Sequence, residues 1–418
     1  MTTSEMRDRS LFSPGMIAVL AAQFFSALAD NAVLILAIAL VRADGAGRHI
    51  PLLQEAFVVP FILLAPFAGP VADGFPKGRV MLLANLLKLS GAIVMAAGLS
   101  PIVAYGLIGV SATVYSPAKY GILTQLVDPG RLVRANGMLE GSTIVAILLG
   151  VLMGGWLTDH SLTMAFFGVI ASYILAAGAN LLIPRLAPER PTAVFRPSVS
   201  IPNFFASLRS LFSNPDARFS LLGTSIFWGS GVTLRLLLFA WVPVALSMTN
   251  NQTPANLMGG VSIGIVLGAA VAGAWVSLET TNRALIGGVL LGPVIFALAG
   301  VHNLATAAVL LALVGLCGGL FVVPLNALLQ ETGHESVGAG NALAVQNFLE
   351  NLAMLLFVGA FSLANSKGVP VVRSAEAFGL IILITVLGVT LLRTGQTAIC
   401  YLRSFFGLER NRGDIGDK

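Results

Sequence analysis

The chain has 418 residues, of which 56% are hydrophobic and 10% charged, and its mean hydropathy is +0.88. Soluble globular domains carry about 25% charge, so this composition excludes a cytosolic enzyme and reads as an integral membrane protein. The net charge of +5 comes from 24 basic residues scattered along the chain with no dense run, which excludes a nucleic-acid binder. A bilayer core takes about 20 apolar residues per helical span, which leaves room for roughly a dozen spans and no sizeable soluble domain. The first apolar stretch lacks a small-residue cleavage site and is long enough to span, so no cleavable signal peptide is expected. Cys317 and Cys400 sit in apolar surroundings without a His or Cys at metal spacing and read as small hydrophobes.

Polar breaks bound apolar runs near 14–41, 52–72, 79–99, 101–124, 136–158 and 162–184, then 218–247, 258–278, 284–301, 303–330, 339–365 and 374–395. This predicts an all-α membrane protein of 12 transmembrane helices in two pseudo-symmetric six-helix bundles, 1–184 and 218–395. The connection 185–217, with Pro188, Pro191, Pro197, Pro202 and Pro215, reads as a cytoplasmic linker, and 396–418 as a cytoplasmic tail.

Lys and Arg asymmetry sets the orientation. With the N-terminus inside, 17 basic residues fall on the cytoplasmic side: Arg7, Arg9, Lys77, Arg79, Arg131, Arg134, Arg185, Arg190, Arg196, Arg209, Arg218, Arg283, Arg393, Arg403, Arg410, Arg412 and Lys418. Arg42, Arg48, Lys367 and Arg373 fall outside, and both termini are expected in the cytoplasm.

The halves repeat each other at an offset of about 205 residues, the mark of a duplicated transporter. Asp73 with Lys77 after span 2 matches Glu279 with Arg283 after span 8; Pro117 matches Pro324, Asn136 matches Asn341, and Asp30 matches Arg235. The loop Gly69-Pro-Val-Ala-Asp73-Gly-Phe-Pro-Lys77-Gly-Arg79 resembles the span 2–3 loop of the major facilitator superfamily, with Pro76 where that pattern usually has Gly. Asp73, Lys77, Arg79, Glu279 and Arg283 are therefore the candidate gating residues: an acid at a span end can bridge to a neighbouring helix end and lock one access state. The alternative is an ordinary positive-inside loop.

A charge at the centre of a span costs about 2.5–3.5 kcal/mol on insertion scales, so each one needs a reason. The intramembrane charges are Asp30, Lys88, Lys119, Glu140, Arg235 and Glu350. Asp30 in span 1 and Arg235 in span 7 lie near mid-depth, as a pair across a central cavity, as two poles for a charged head group, or as a structural salt bridge. Lys119 follows the helix break at Pro117 and either binds phosphate or snorkels to the cytoplasmic face. Glu140 is one turn into span 5. Glu350 is deeper, in span 11, and either carries a coupling proton, pairs with Arg235 or bonds to polar neighbours. Lys88 reads as a packing residue. Gly150-x-x-x-Gly154 and Gly264-x-x-x-Gly268 suit close helix contact. Gly141, Gly150 and Gly154 are similar to the superfamily's antiporter motif, but Gly155 stands where it requires Pro. No Walker loop and no cluster with metal spacing is present, so no cofactor is expected.

The strings AQFFSALADNA (22–32), YSPAKYGIL (115–123), FSLLGTSIFWGSGVTLR (219–235), WVPVAL (241–246), FVVPLNALLQE (321–331) and VGAGNALAVQN (337–347) resemble the bacterial lysophospholipid transporters, a branch of the major facilitator superfamily. The resemblance runs from about residue 11 to about 395. It implies a monomeric, non-enzymatic carrier of the Gram-negative inner membrane that moves lysophosphatidylethanolamine, lysophosphatidylglycerol and related lysolipids from the periplasmic to the cytoplasmic leaflet. A separate acyltransferase with acyl-carrier-protein synthetase would then reacylate them. Asp30 and Arg235 would suit an ammonium and a phosphate, amid walls of Phe24, Phe25, Phe227, Trp228 and Trp241, with lipid passing sideways between spans of opposite bundles. The competing expectations are an ion-coupled carrier of a soluble drug or sugar, using Asp30 or Glu350, and a non-transporting lipid-binding subunit of the acyltransferase.

Overall fold

Helix ends are set by local chemistry. In the computed structural model, which describes residues 10–43, 50–190, 197–248 and 252–405, the N-terminal half contains α1 (Pro14–Ala43), α2 (Ile50–Leu63), α3 (Ala65–Gly74), α4 (Lys77–Ala96), α5 (Pro101–Gly121), the short α6 (Leu123–Leu126), α7 (Leu132–His160) and α8 (Leu162–Leu181). After the linker helix α9 (Pro197–Ser213) come α10 (Pro215–Ala245), α11 (Gln252–Trp275), α12 (Ala284–Ala299), α13 (Leu304–Glu335), α14 (Ala339–Ser366) and α15 (Val371–Phe405). Asn214 caps α10 through its Oδ1, which accepts from the N–H groups of Asp216 at 2.9 Å and Ala217 at 3.1 Å, with Pro215 in the first turn. Asn303 caps α13 in the same way. Among the described residues eleven helices are long and apolar enough to cross a membrane, or twelve when the bent pair α2–α3 counts as one span. The chain is a multi-pass membrane protein.

The 66° bend between α2 and α3 falls where Pro66 has no N–H to give to the carbonyl of Ile62 and its ring crowds that carbonyl. Small residues bring other helices close. A Cβ on Gly154 of α7 would sit 2.9 Å from Ala32 Cα of α1, and one on Gly150 would collide with the Leu28 carbonyl. On α11, Gly264 and Gly268 meet the Ala312 and Leu316 carbonyls of α13, and Gly315 and Gly319 of α13 meet the Val261 and Ile265 carbonyls in return. Large apolar side chains such as Leu152 (68% exposed), Phe167 (70%) and Val309 (67%) point outward, where lipid is the solvent.

Two parts of the chain differ from the sequence reading. The Pro-rich connection 185–217 holds α9, whose Phe204 and Leu211 pack with Ala217, Leu221 and Leu329. At the C-terminus α15 continues through 396 to Phe405. The basic residues Arg7, Arg9, Arg48, Arg196, Arg410, Arg412 and Lys418, and the tail from 406 on, lie outside the described residues.

The core shows where the two halves meet. We call the side bearing the α3–α4 turn and α9 the linker face. One continuous core there joins both halves, from Met16, Met81, Ile122 and Leu139 to Ala269, Ala272, Val323 and Ala327. Farther from that face the halves keep separate cores, one around Leu36, Leu53, Tyr105 and Tyr173, the other around Leu237, Trp241, Leu291 and Ile382.

Candidate functional site: a polar cavity above a latch

The loop Gly69–Arg79 closes the linker face. Asp73, fully buried, accepts the N–H of Gly340 at 2.7 Å, the N–H of Asn341 at 3.0 Å and the Asn341 Nδ2 at 3.1 Å. These are first-turn donors of α14, which no intrahelical acceptor satisfies. An acid from one bundle thus caps a helix of the other, where the helix dipole favours negative charge. The linker completes the cap: Glu189 accepts from the Ala339 N–H at 3.0 Å and from His334 at 2.9 Å. Lys77 Nζ, also fully buried, joins Asp73 at 3.1 Å and Glu189 at 2.7 Å. Arg190 donates its N–H to the Asp73 carbonyl at 2.9 Å and its guanidinium to the Ser336 carbonyl. Burial pushes the Glu189 carboxyl up, but the charge and donation of Lys77 and the bonds from Ala339 and His334 outweigh it and hold the group below its ordinary value.

Glycines make this approach possible. Gly338 has φ +97°, and a Cβ there would collide with Asp73 Oδ2; a Cβ on Gly340 would meet Asp73 Oδ1 at 2.5 Å. Gly69 leaves room for the Asn341 backbone, 2.7 Å from where its own Cβ would stand. The sequence GAGN at 338–341 is therefore the receptor for the Asp73 loop.

The second copy of the loop is built differently. Leu278–Arg283 is a 3-10 turn in which Glu279 is exposed, and Arg283 donates to the Trp275 carbonyl at 2.8 Å while lying over its ring. Glu279 and Arg283 form no ion pair with each other, and Arg79 is exposed. The other seam is held by neutral groups: Asn136 and Gln330 exchange amide bonds at 2.7 and 2.9 Å, and Arg134 donates to the Gly273 carbonyl at 3.0 Å.

Above the latch lies a cavity of about 360 Å³ between the bundles, lined by α1, α2, α4, α5 and α7 on one side and α10, α13 and α14 on the other. Its floor is a cross-bundle network. Tyr120 donates to Glu140, Asn326 donates to Glu140 at 3.2 Å, and Gln346 Nε2 donates to Asn326 Oδ1 and to Glu350, both at 2.7 Å. The lining extends from this floor away from the linker face, to the exposed Gln54 on α2.

Asp30, Lys119, Glu140, Trp228, Arg235 and Glu350 all line this cavity. The expected Asp30–Arg235 pair is not formed. Asp30 is bound within its own bundle, to Lys88 Nζ at 2.6 Å and Tyr173 OH at 2.8 Å. Lys88, expected only to pack, also donates to Ser26 at 3.0 Å and lies 4.7 Å from the Tyr115 ring centroid. Lys119 reaches over the Tyr120 ring at 4.5 Å. Arg235 has no ion-pair partner among the described residues. Phe24 packs edge-on against Phe25 and beside Ala27, Leu28 and Ala146, outside the cavity lining. Trp241 is buried in the C-terminal core, its indole N–H toward the Ala299 carbonyl.

Sequence reasoning missed Tyr173, Glu189, Arg190 and Gln330. Tyr173 is one of several polar residues in an apolar span and Gln330 ends one, which is a weak signal; Glu189 and Arg190 stand in a linker where no site pattern marks them.

A second pocket of about 170 Å³ adjoins the cavity and shares Ile147, Trp228, Val232 and Arg235 with it. Its remaining walls are mostly apolar, with Ile144 from α7, Met258, Val261 and Ile265 from α11, and Leu291 and Ile295 from α12. Arg235 thus stands at the junction of a polar and an apolar compartment.

The sequence profile of the Major Facilitator Superfamily matches residues 19–358. The chain belongs to the Major Facilitator Superfamily. Within it, this facilitator is 51% identical over 373 residues to the lysophospholipid transporter LplT of Yersinia enterocolitica, covering 89% of this chain and 92% of the relative. It is 52% identical over 374 residues to the LplT of Yersinia pestis strain Pestoides F, with the same coverage. Its fold is similar to the crystal structure of a bacterial homologue of the iron transporter ferroportin in an outward-facing state, with a TM-score of 0.68, 16% identity, and 90% of this chain and 99% of that one covered. At that identity the likeness concerns the fold alone.

Proposed function

We propose that this facilitator carries lysophospholipids across the bacterial inner membrane, from the periplasmic to the cytoplasmic leaflet, by alternating access with lateral admission of lipid. The observation that carries the reading is Arg235, which has no ion-pair partner among the described residues and lines both the polar cavity and the apolar pocket. A lysolipid has that shape: a phosphate head joined to one acyl chain. The phosphate takes charge-assisted bonds from Arg235 and the chain enters the pocket between α7 and α11. The amine of an ethanolamine head faces the carboxylates of the cavity, Asp30 with 19% of its side chain exposed among them. Lys119, Glu140 and Glu350 form the polar floor on which the head rests.

The linker face is the cytoplasmic one, by the excess of Lys and Arg there, and both termini lie on that side. The closed latch makes the state described here outward-facing. One chain supplies both halves of the cavity, so the monomer is the working unit. Reacylation of the delivered lysolipid falls to a separate acyltransferase with acyl-carrier-protein synthetase.

Reconstituted vesicles test the reading. Leaflet-resolved movement of labelled lysophosphatidylethanolamine is expected, and uptake of a soluble sugar or drug without lipid movement would replace it with a soluble-solute carrier. Cysteine pairs joining Ile144 or Ile147 of α7 to Val261 or Ile265 of α11 should stop lipid movement when crosslinked; unchanged flux would refute lateral admission at that seam.

A further inference from the structure

A third hollow, of about 460 Å³, lies on the linker face beneath α9 and shares no lining residue with the transport cavity. Its polar wall is Arg190, Ser200, Asn203, Ser207, Ser210 and Asn341, and no carboxylate lines it. Asn203, Ser207 and Ser210 recur at helical spacing, so α9 turns one hydroxyl- and amide-bearing face toward a guanidinium. Among the described residues Arg190 uses its guanidinium once, on the Ser336 carbonyl, and a guanidinium has five N–H donors in a planar fork. Hydroxyls, an amide and an arginine that forms no ion pair among the described residues make a receptor for a phosphate group.

We propose that this hollow binds the phosphate headgroup of a membrane phospholipid in the leaflet on the linker side, and that the bound headgroup holds the latch shut. The lipid source follows from the rest of α9, where Ile201 is 42% and Phe205 55% exposed, one helical turn apart and followed by exposed Arg209. An exposed apolar strip that ends in a basic residue, with the polar residues on the opposite face, is the pattern of a helix lying in the membrane surface. The effect on the latch follows from the walls. Pro70 belongs to α3 of the first bundle, and Val337 and Asn341 flank the start of α14 of the second. Asn341 and Arg190 also bond to Asp73. Opening the linker face separates α3 from α14 and dismantles the hollow, so its ligand binds the closed state alone and shifts the population toward it.

The test uses the full chain in phospholipid-free maltoside micelles, with Cys317→Ala and Cys400→Ala and with spin labels at Phe75→Cys and Glu335→Cys, one on each bundle. Dihexanoyl phosphatidylglycerol is added to one sample and inorganic phosphate to another, and the short-distance population is read. The phosphatidylglycerol is expected to raise that population, and Asn203→Leu or Ser207→Val, neither of which touches the latch, to raise the half-saturating concentration at least about tenfold. A loss confined to these variants upholds the site; should either fail to fold, as shown by its thermal midpoint, Ser210→Val replaces it. Inorganic phosphate alone producing the same variant-sensitive rise would keep the site and make free phosphate its ligand. No response to either compound, or a response equal in wild type and variants, overturns the proposal.

Discussion

The two halves carry matching positions and use them differently. In the N-terminal half the acid of each repeat is matched locally by a lysine: Asp30 by Lys88 at 2.6 Å, Asp73 by Lys77 at 3.1 Å. In the C-terminal half the counterparts stand apart, Arg235 without an ion-pair partner among the described residues and Glu279 exposed. The matching positions differ in how their charge is neutralised. A paired charge holds helices in place. An unpaired one in a cavity is available to a ligand that brings the opposite sign.

The largest effect expected from this contrast is at Arg235. Arg235→Gln should lower lysophosphatidylethanolamine transport in vesicles roughly 10- to 100-fold, the worth of a charge-assisted hydrogen bond, with an unchanged thermal midpoint. A large loss of stability would instead make Arg235 structural. Asp30→Asn should lower stability as well, leaving Lys88 buried without its counter-ion and costing about 3 kcal/mol in thermal or denaturant unfolding. Asp30→Asn combined with Lys88→Met should recover most of that stability; if the double variant is no better than the single one, Asp30 is not the anchor of Lys88.

At the latch, Asp73→Asn should open the linker face, seen as faster thiol labelling from that side of Ser116→Cys, a position in the cavity lining on α5. Glu189 adds a pH term. Its carboxyl is held below the ordinary value in the latched state, so the stability it lends is present above the ordinary carboxylate pKa and lost as pH falls through the lowered one. Labelling should rise as the medium is acidified through the ordinary carboxylate range and below it; Glu189→Gln should label at neutral pH as wild type does in acid. The smallest effect is expected at Glu279→Gln, within about 0.5 kcal/mol of wild type in stability, with labelling unchanged. A Glu279 effect equal to that of Asp73 would erase the distinction between the halves.

Much of this was legible in the sequence, because spans follow from apolar run length and the repeat from recurring Asp, Pro and Asn positions. The Asp73 loop was legible for the same reason: its glycines and charges sit within eleven consecutive residues. Partner choice was not. Asp30 was matched by sequence symmetry to Arg235, but helix packing puts Lys88 and Tyr173, 58 and 143 residues away, within bonding distance first. Glu189 needed the linker path, and α9 was hidden by two prolines in a Ser-rich stretch whose apolar face is short. Phe24 shows the limit of composition: an aromatic less than two turns from Asp30 can face the neighbouring helix instead.

In the proposed complex a lysolipid sits with its phosphate at Arg235 and its chain in the adjoining pocket. Trp228 lines both compartments, so a protein with Trp156, Trp241 and Trp275 changed to Phe carries one fluorophore at their junction. Binding of lysophosphatidylethanolamine with a nitroxide on its acyl chain should quench that fluorescence saturably in this protein and only weakly when Arg235→Gln is added. Equal quenching with and without Arg235, or none in either, would contradict the account.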